Sequence, residues 1–191
     1  LFTSASATPA PGDWGGVLLA DGTDETLTVM EHCRLEYGGA VYLASQRGNL
    51  VIKATNPTLR NLTLQYSSTD GLVTSNASVT LTDLTSTNNG WSGLSIDAAG
   101  GGTLQLSRLT LTNNSSYGLS GGATGTLTDS TVSQNGSAGL LLRGTWTLTS
   151  VTSTQNAADG LSGFGTWTLT TVTLDQNGGA GIKTIAASSF S

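Results

Sequence analysis

Apolar and polar residues alternate in short runs through most of this chain. Thr80-Leu81-Thr82, Gln105-Leu106-Ser107, Thr126-Leu127-Thr128, Thr147-Leu148-Thr149 and Thr168-Leu169-Thr170 share one form. A period of two predicts strands with one buried and one wet face. A second strand is predicted directly after each, starting at Leu84, Leu109, Thr131, Val151 and Val172. The phrase GTWTLTSVTSTQN, Gly144 to Asn156, returns as GTWTLTTVTLDQN, Gly165 to Asn177.

The repetition extends further. A Gly followed by Leu or Ile stands at Gly71, Gly93, Gly118, Gly139, Gly160 and Gly181, with spacings of 22, 25, 21, 21 and 21 residues. Four residues before the last five of these stand Asn89, Asn114, Asn135, Asn156 and Asn177. Each follows another amide, in order Asn88, Asn113, Gln134, Gln155 and Gln176. Asn tolerates left-handed backbone and bonds neighbouring main chain, so a corner recurring at one height on successive turns selects it. Stacked corners predict a structural ladder of the five asparagines.

One such unit cannot bury its apolar side alone; stacked units close a continuous core. The predicted fold is all-β, a single-stranded right-handed parallel β-helix of about eight coils, each of about 21–25 residues. It forms one domain over 1–191, with irregular coils and longer loops in 1–70 and regular coils in 71–185. The opening LFTSASATPAPGDW has neither Met nor a signal-peptide pattern, so a fragment of a longer chain is expected. The N-terminal strand edge is then expected to be covered by the missing chain, a partner or self-association.

Composition narrows the partners. A net charge of −5 with seven scattered basic residues gives no cluster for nucleic acid, and no apolar run is long enough for membrane insertion. Cys33 is the only cysteine and His32 the only histidine, which leaves no disulfide and no zinc spacing. Asp13, Asp21, Asp24 and Glu25 crowd the first loops, where oxygen ligands for Ca²⁺ are conceivable, but their spacing matches no calcium loop. No metal site and no cofactor are assigned.

The stretch PAPGDWGGVLLADGTDETLTVMEHCRLEYGGA resembles the opening of right-handed β-helix regions in secreted and cell-surface bacterial proteins. The N-x-x-x-G-[LI] units are similar to repeats of the pectate-lyase-like superfamily. The resemblance implies an extracellular or cell-surface location. It does not by itself imply catalysis, since function lives in sites grafted on folds. Catalytic relatives carry clustered carboxylates with Arg or Lys on one face; no such cluster is found, and no catalytic residue is assigned.

Remaining candidates are judged by position in the repeat. Asp83, Arg108 and Asp129 recur at one place on three coils and read as a surface ion ladder. Trp146 and Trp167 are equivalent and read as core. The strand after each Gly-Leu is the least uniform, and its outward places include Leu141, Arg143 and Phe164, with Asp97 on the same face. An exposed apolar pair beside an Arg marks a candidate ligand surface.

Three functions are open. The first is a non-catalytic extracellular stalk or adhesin-like module that binds a polysaccharide or a cell-surface protein. The second is an ice-binding protein, using the array of Thr80, Thr82, Thr126, Thr128, Thr147, Thr149, Thr168 and Thr170, although Gln105 and Ser107 interrupt it. The third is a polysaccharide lyase or glycoside hydrolase.

Overall fold

The computed structural model describes residues 1–24, 27–40, 47–97, 102–186 and 188–190, with the Asp97 side chain outside that set. Among them the chain winds through three parallel ladders. The first face stacks β1 (Val17–Leu19), β4 (Leu50–Lys53), β6 (Leu72–Ser75), β8 (Leu94–Asp97) and the starts of β11 (Leu119–Ser133), β12 (Leu140–Thr154) and β13 (Leu161–Thr173), then β14 (Ile182–Thr184). The second stacks β2 (Val29–Glu31), β5 (Thr58–Gln65), β7 (Val79–Thr87), β9 (Thr103–Ser107), the middles of β11 to β13, and β15 (Ser189–Phe190). The third joins β3 (Arg34–Glu36), the ends of β5 and β7, β10 (Thr110–Thr112) and the ends of β11 to β13.

Register follows the repeat. Leu50 pairs in turn with Leu72, Leu94, Leu119, Leu140, Leu161 and Ile182, which defines about six regular turns. The sequence reading expects about eight coils, the irregular N-terminal ones included; the regular stack has fewer. Leu50, Leu72, Leu94, Leu119, Leu140 and Leu161 are each at most 1% exposed. Burial of such a side chain stabilises by about 1.5–3 kcal/mol, so the column is a main source of cohesion. Trp146 stacks on Trp167 above it and on Gly125 below, and both indoles are buried. A Cβ on Gly125 would lie 2.7 Å from the Trp146 ring, so the indole fills the space a side chain would need.

One register differs from the sequence reading. The sequence reading starts the second strand at Thr131, in line with Leu109 and Val151, but Thr131 pairs with Thr110 and Thr152 on the wet side. Ser130 holds the inward place. Its hydroxyl accepts the Leu109 N–H at 3.0 Å and donates to the Thr128 carbonyl at 2.6 Å, which makes a polar core residue tolerable.

The amide corners divide their work. The first amide of each pair, Asn88, Asn113, Gln134, Gln155 or Gln176, takes the left-handed backbone, with φ between 54° and 57°. The second turns inward. Asn114 donates both its backbone N–H (3.1 Å) and its side-chain Nδ2 (3.0 Å) to Asn135 Oδ1, and its Nδ2 also donates to the Ser86 carbonyl at 3.1 Å. The pattern repeats from Asn89 to Asn114, from Asn135 to Asn156 and from Asn156 to Asn177. One turn lower Ser67 stands in the series, and Asn49 takes over, accepting the Gly38 N–H at 2.9 Å and donating to the Gln65 carbonyl at 2.8 Å.

At the N-terminal end the chain covers part of its own edge. Phe2 bridges Leu35, Gly12 and Asp13 donate to the Tyr37 carbonyl, and Trp14 Nε1 donates to the Glu36 carbonyl at 2.9 Å. The outer edges of β1 and β2 have no strand partner among the described residues.

Asn135→Ala removes the acceptor for the Asn114 N–H and the donor to the Leu111 carbonyl, both in buried surroundings. Each stranded group costs about 1–3 kcal/mol, so a loss of about 3–4 kcal/mol is expected. The exposed Gln155→Ala is expected to cost less than about 0.5 kcal/mol. Urea unfolding of both variants, read as a change of midpoint at constant slope, checks the contrast.

Candidate cleft on the first face

No single residue type runs the length of the first face's alternate column. Val51, Val73, Ser95, Ser120, Leu141, Ser162 and Lys183 succeed one another in register in one column. Arg143 follows Gly122 and precedes Phe164 in the neighbouring column. This variation interrupts the flat surface, and a cleft of about 290 Å³ opens between Ser95, Ser120 and Leu141 on the strands, Tyr117 at the preceding corner, and the side chains of Arg47 and Arg143. Gly121 also lines it, in left-handed backbone (φ 140°) pressed against Ile96.

Of the four residues expected to form a ligand surface, Leu141 and Arg143 line the cleft. Phe164 flanks it, 38% exposed, with the Arg143 guanidinium 6.0 Å from its ring centre. Asp97 ends β8, and its side chain lies outside the described residues. The sequence reading missed Arg47, Trp91 and Tyr117. Arg47 comes from the irregular N-terminal turn and lies 4.9 Å above the centre of the Trp91 ring. No repeat position announces it; the exposed aromatic in the corner segment GWSGL was the available signal.

Arg34 pairs with Glu36 (3.2 Å), Arg60 with Glu31, and Arg108 with Asp83 (2.6 Å). Arg47 and Arg143 have no ion pair among the described residues and rest on aromatic rings instead. Such cation–π contacts leave the edge donors of the guanidinium free for a ligand. The basic residues that look scattered along the sequence thus put their two unpaired arginines in one cleft.

Behind the wall lies Asp70, 2% exposed. It accepts the Ser92 backbone N–H at 2.9 Å. Burial pushes its carboxyl from the ordinary 3.8 up to about 6, against the opposing pull of the Ser92 hydrogen bonds and the Arg47 charge. Asp159 occupies the equivalent corner three turns after Ser92, accepts the Ala180 N–H at 2.9 Å and faces Lys183 at 3.8 Å.

The other candidates resolve structurally. Asp83, Arg108 and Asp129 are corner residues with φ of 57°, 54° and 50°, and the Asp83–Arg108 pair is bidentate on the surface. No group of three His, Cys, Asp or Glu able to hold a metal occurs among the described residues, and Glu25 lies outside them. The threonines of the second face form columns. Thr126, Thr147 and Thr168 are in register, as are Thr128, Thr149 and Thr170, and Thr124, Thr145 and Thr166 add a third column. Thr80 and Thr82 are separated from them by Gln105 and Ser107.

The family model described as "Right handed beta helix region" matches residues 14–190. Among solved structures, the A-module of mannuronan C-5 epimerase AlgE4 from Azotobacter vinelandii is similar, with a TM-score of 0.53 and 16% identity over 93% of this chain. The chain spans 62% of that module's length, and the likeness at this identity is one of fold. No curated protein sequence matches the chain.

Asp70 is harder to ionise in the fold than in the unfolded chain. Its contribution to stability is therefore complete below about pH 3.8 and is lost as the pH rises through about 6. Asp70→Asn keeps an acceptor for the Ser92 N–H and removes the charge. It is expected to stabilise by up to about 3 kcal/mol at neutral pH and to change little at about pH 4. Thermal unfolding at both pH values checks the sign.

Proposed function

As the chain belongs to the right-handed β-helix family, we propose that it is a non-catalytic extracellular module that holds an anionic polysaccharide along its first face. The observation that carries this reading is the pair of arginines, Arg47 and Arg143, that have no ion pair among the described residues and share one aromatic-edged cleft. A guanidinium presents a rigid fork that matches a carboxylate or sulfate in two hydrogen bonds, while sugar rings pack on exposed aromatic faces such as Phe164 and Trp91. The serines and the tyrosine of the lining supply hydroxyl partners for a glycan. The fold neighbour acts on mannuronan, a polyuronate, and the same polymer class suits the charge of this cleft.

A binding role fits the lining better than a lyase or hydrolase role. Glycoside hydrolysis needs two carboxyl groups flanking the bond, and the described lining holds none.

The second face supports a second reading. Nine threonines in three registered columns present methyl and hydroxyl groups at the spacing of a β-sheet, the kind of flat regular array on which ice binding is conceived. Thermal hysteresis that is present in the wild type and abolished by Thr147→Tyr would favour it over the cleft reading.

For the cleft, oligogalacturonate is expected to bind with an affinity that falls as salt rises, and a neutral oligoglucan to bind far more weakly. Arg143→Ala is expected to weaken the uronate about tenfold, and Thr147→Ala to leave it unchanged. Calorimetric titration of these pairs checks the reading, which fails if the neutral oligomer binds equally well.

A further inference from the structure

The amide corner borders a second cleft, of about 460 Å³, beside the segment that leads to Trp91. Asn88 and Asn113, on successive turns, line it with Ser115, Gly90, Ser68 and Pro11. No side chain of the lining is ionisable. The inward asparagines of this corner are bound into the ladder, but the side chains of Asn88, Asn113 and Ser115 are exposed and make no hydrogen bond among the described residues. Further along the same column the longer amides close on each other, Gln155 Nε2 donating to Gln176 Oε1 at 3.1 Å. The shorter Asn88 and Asn113 leave their donors and acceptors to solvent.

The Pro11 wall of this cleft is fixed in place. The Asp13 N–H donates to the Ala10 carbonyl at 3.2 Å around Pro11 and Gly12, with Gly12 at φ 90°, the residue order of a type II turn. The Asp13 carboxylate accepts the Ala10 N–H at 2.9 Å and the Ser4 hydroxyl, which fastens the turn. Gly12 rests on Ser68, where a Cβ would lie 3.1 Å from Oγ. A rigid proline thus borders a floor of free amides and hydroxyls.

The two clefts share one corner segment. Gly90 lines the second cleft, and the next residue, Trp91, is 44% exposed and supports Arg47 of the first. Ser115 lines the second cleft and Tyr117, two residues on, lines the first. A carboxylate placed on the amide side would lose hydration without meeting a cation, near the exposed Asp13 carboxylate of the Pro11 turn. A neutral sugar residue escapes that penalty, and its hydroxyls or acetamido group pair with side-chain amides, each of which offers donors and an acceptor.

Resting on the anionic-ligand reading of the first cleft, we propose that the neutral cleft is its second subsite, and that the ligand is a polysaccharide in which charged and uncharged residues alternate. The anionic residue sits at Arg47 and Arg143. The neutral residue beside it crosses Trp91 and reaches Asn88, Asn113 and Ser115.

Calorimetric titration of the whole chain with three oligomers of equal length tests this. Hyaluronan alternates glucuronate with N-acetylglucosamine, oligogalacturonate is charged at every residue, and a chitin oligomer is neutral throughout. Hyaluronan is expected to bind about fivefold tighter than oligogalacturonate despite its lower charge, and the chitin oligomer far more weakly than either. The double variant Asn88→Gly, Asn113→Gly removes the amides and keeps the left-handed backbone, φ 55° and 56°, that both positions adopt. It is expected to weaken hyaluronan about fivefold, to leave oligogalacturonate unchanged and to keep the wild-type urea midpoint. Hyaluronan that binds no tighter than oligogalacturonate, or that is insensitive to the double variant, overturns the second subsite, while an oligogalacturonate affinity that still depends on Arg143 keeps the anionic cleft. Loss of hyaluronan affinity in the double variant, with Arg143→Ala without effect on either polymer, leaves the neutral subsite standing and removes the anionic reading.

Discussion

Everything in this molecule depends on turns that superimpose, and superposition depends on corners held in left-handed backbone. Among the described residues sixteen that are not glycine adopt positive φ, most of them at two corners that recur from turn to turn. Each would be disfavoured by about 1–2 kcal/mol in isolation. The stack offsets that cost by giving every corner a neighbour. At one corner the amide of each ladder Asn satisfies the buried N–H of the turn below, so the corner cannot shift without stranding a donor. At the other, Asp83, Arg108, Asp129, Ser150 and Thr171 follow the same path with unrelated side chains. Even a β-branched residue accepts φ of 54° there, because the parallel ladders on either side fix the bend.

A scaffold so constrained leaves little freedom for chemistry. The inward columns are committed to packing and the ladder corners to amides. The outward columns of the second and third faces are largely threonine, a good strand residue on a wet surface. Variation is concentrated on the outward side of the first face and in the loops that enter and leave it. The cleft lies at that place. Its floor comes from consecutive turns, and its walls carry side chains from the irregular N-terminal part and from the last regular turns, far apart in sequence and close only through the stacking.

The repeat was readable because its signals were local. The Gly-Leu step, the paired amides and the alternating Thr-Leu-Thr strands each recur at a fixed interval, and the register follows them. Ser130 escaped because a buried serine does not announce itself as core; only its bonds to Leu109 and Thr128 make the position acceptable. Asn49 escaped for the opposite reason. It looks like an ordinary loop asparagine, yet it supplies the ladder bond that Ser67 cannot. In the cleft, Leu141, Arg143 and Phe164 were legible as breaks in a regular column. Arg47 and Asp70 were not, because their significance lies in a contact across turns and in depth of burial, neither of which has a period.

The charge pattern carries the functional argument one step further. Exposed ion pairs contribute little to stability, so what distinguishes two of the arginines is less the lack of a pair than what supports them. Arg34, Arg60, Arg108 and Lys183 each have a carboxylate within 4 Å, while the exposed Lys53 has none among the described residues. Arg47 and Arg143 instead stand on Trp91 and Phe164. An aromatic support fixes a guanidinium in place without using its hydrogen-bond donors. Two cations so held face one cleft in a molecule of opposite net charge, and it is on this arrangement that the proposed anion site rests.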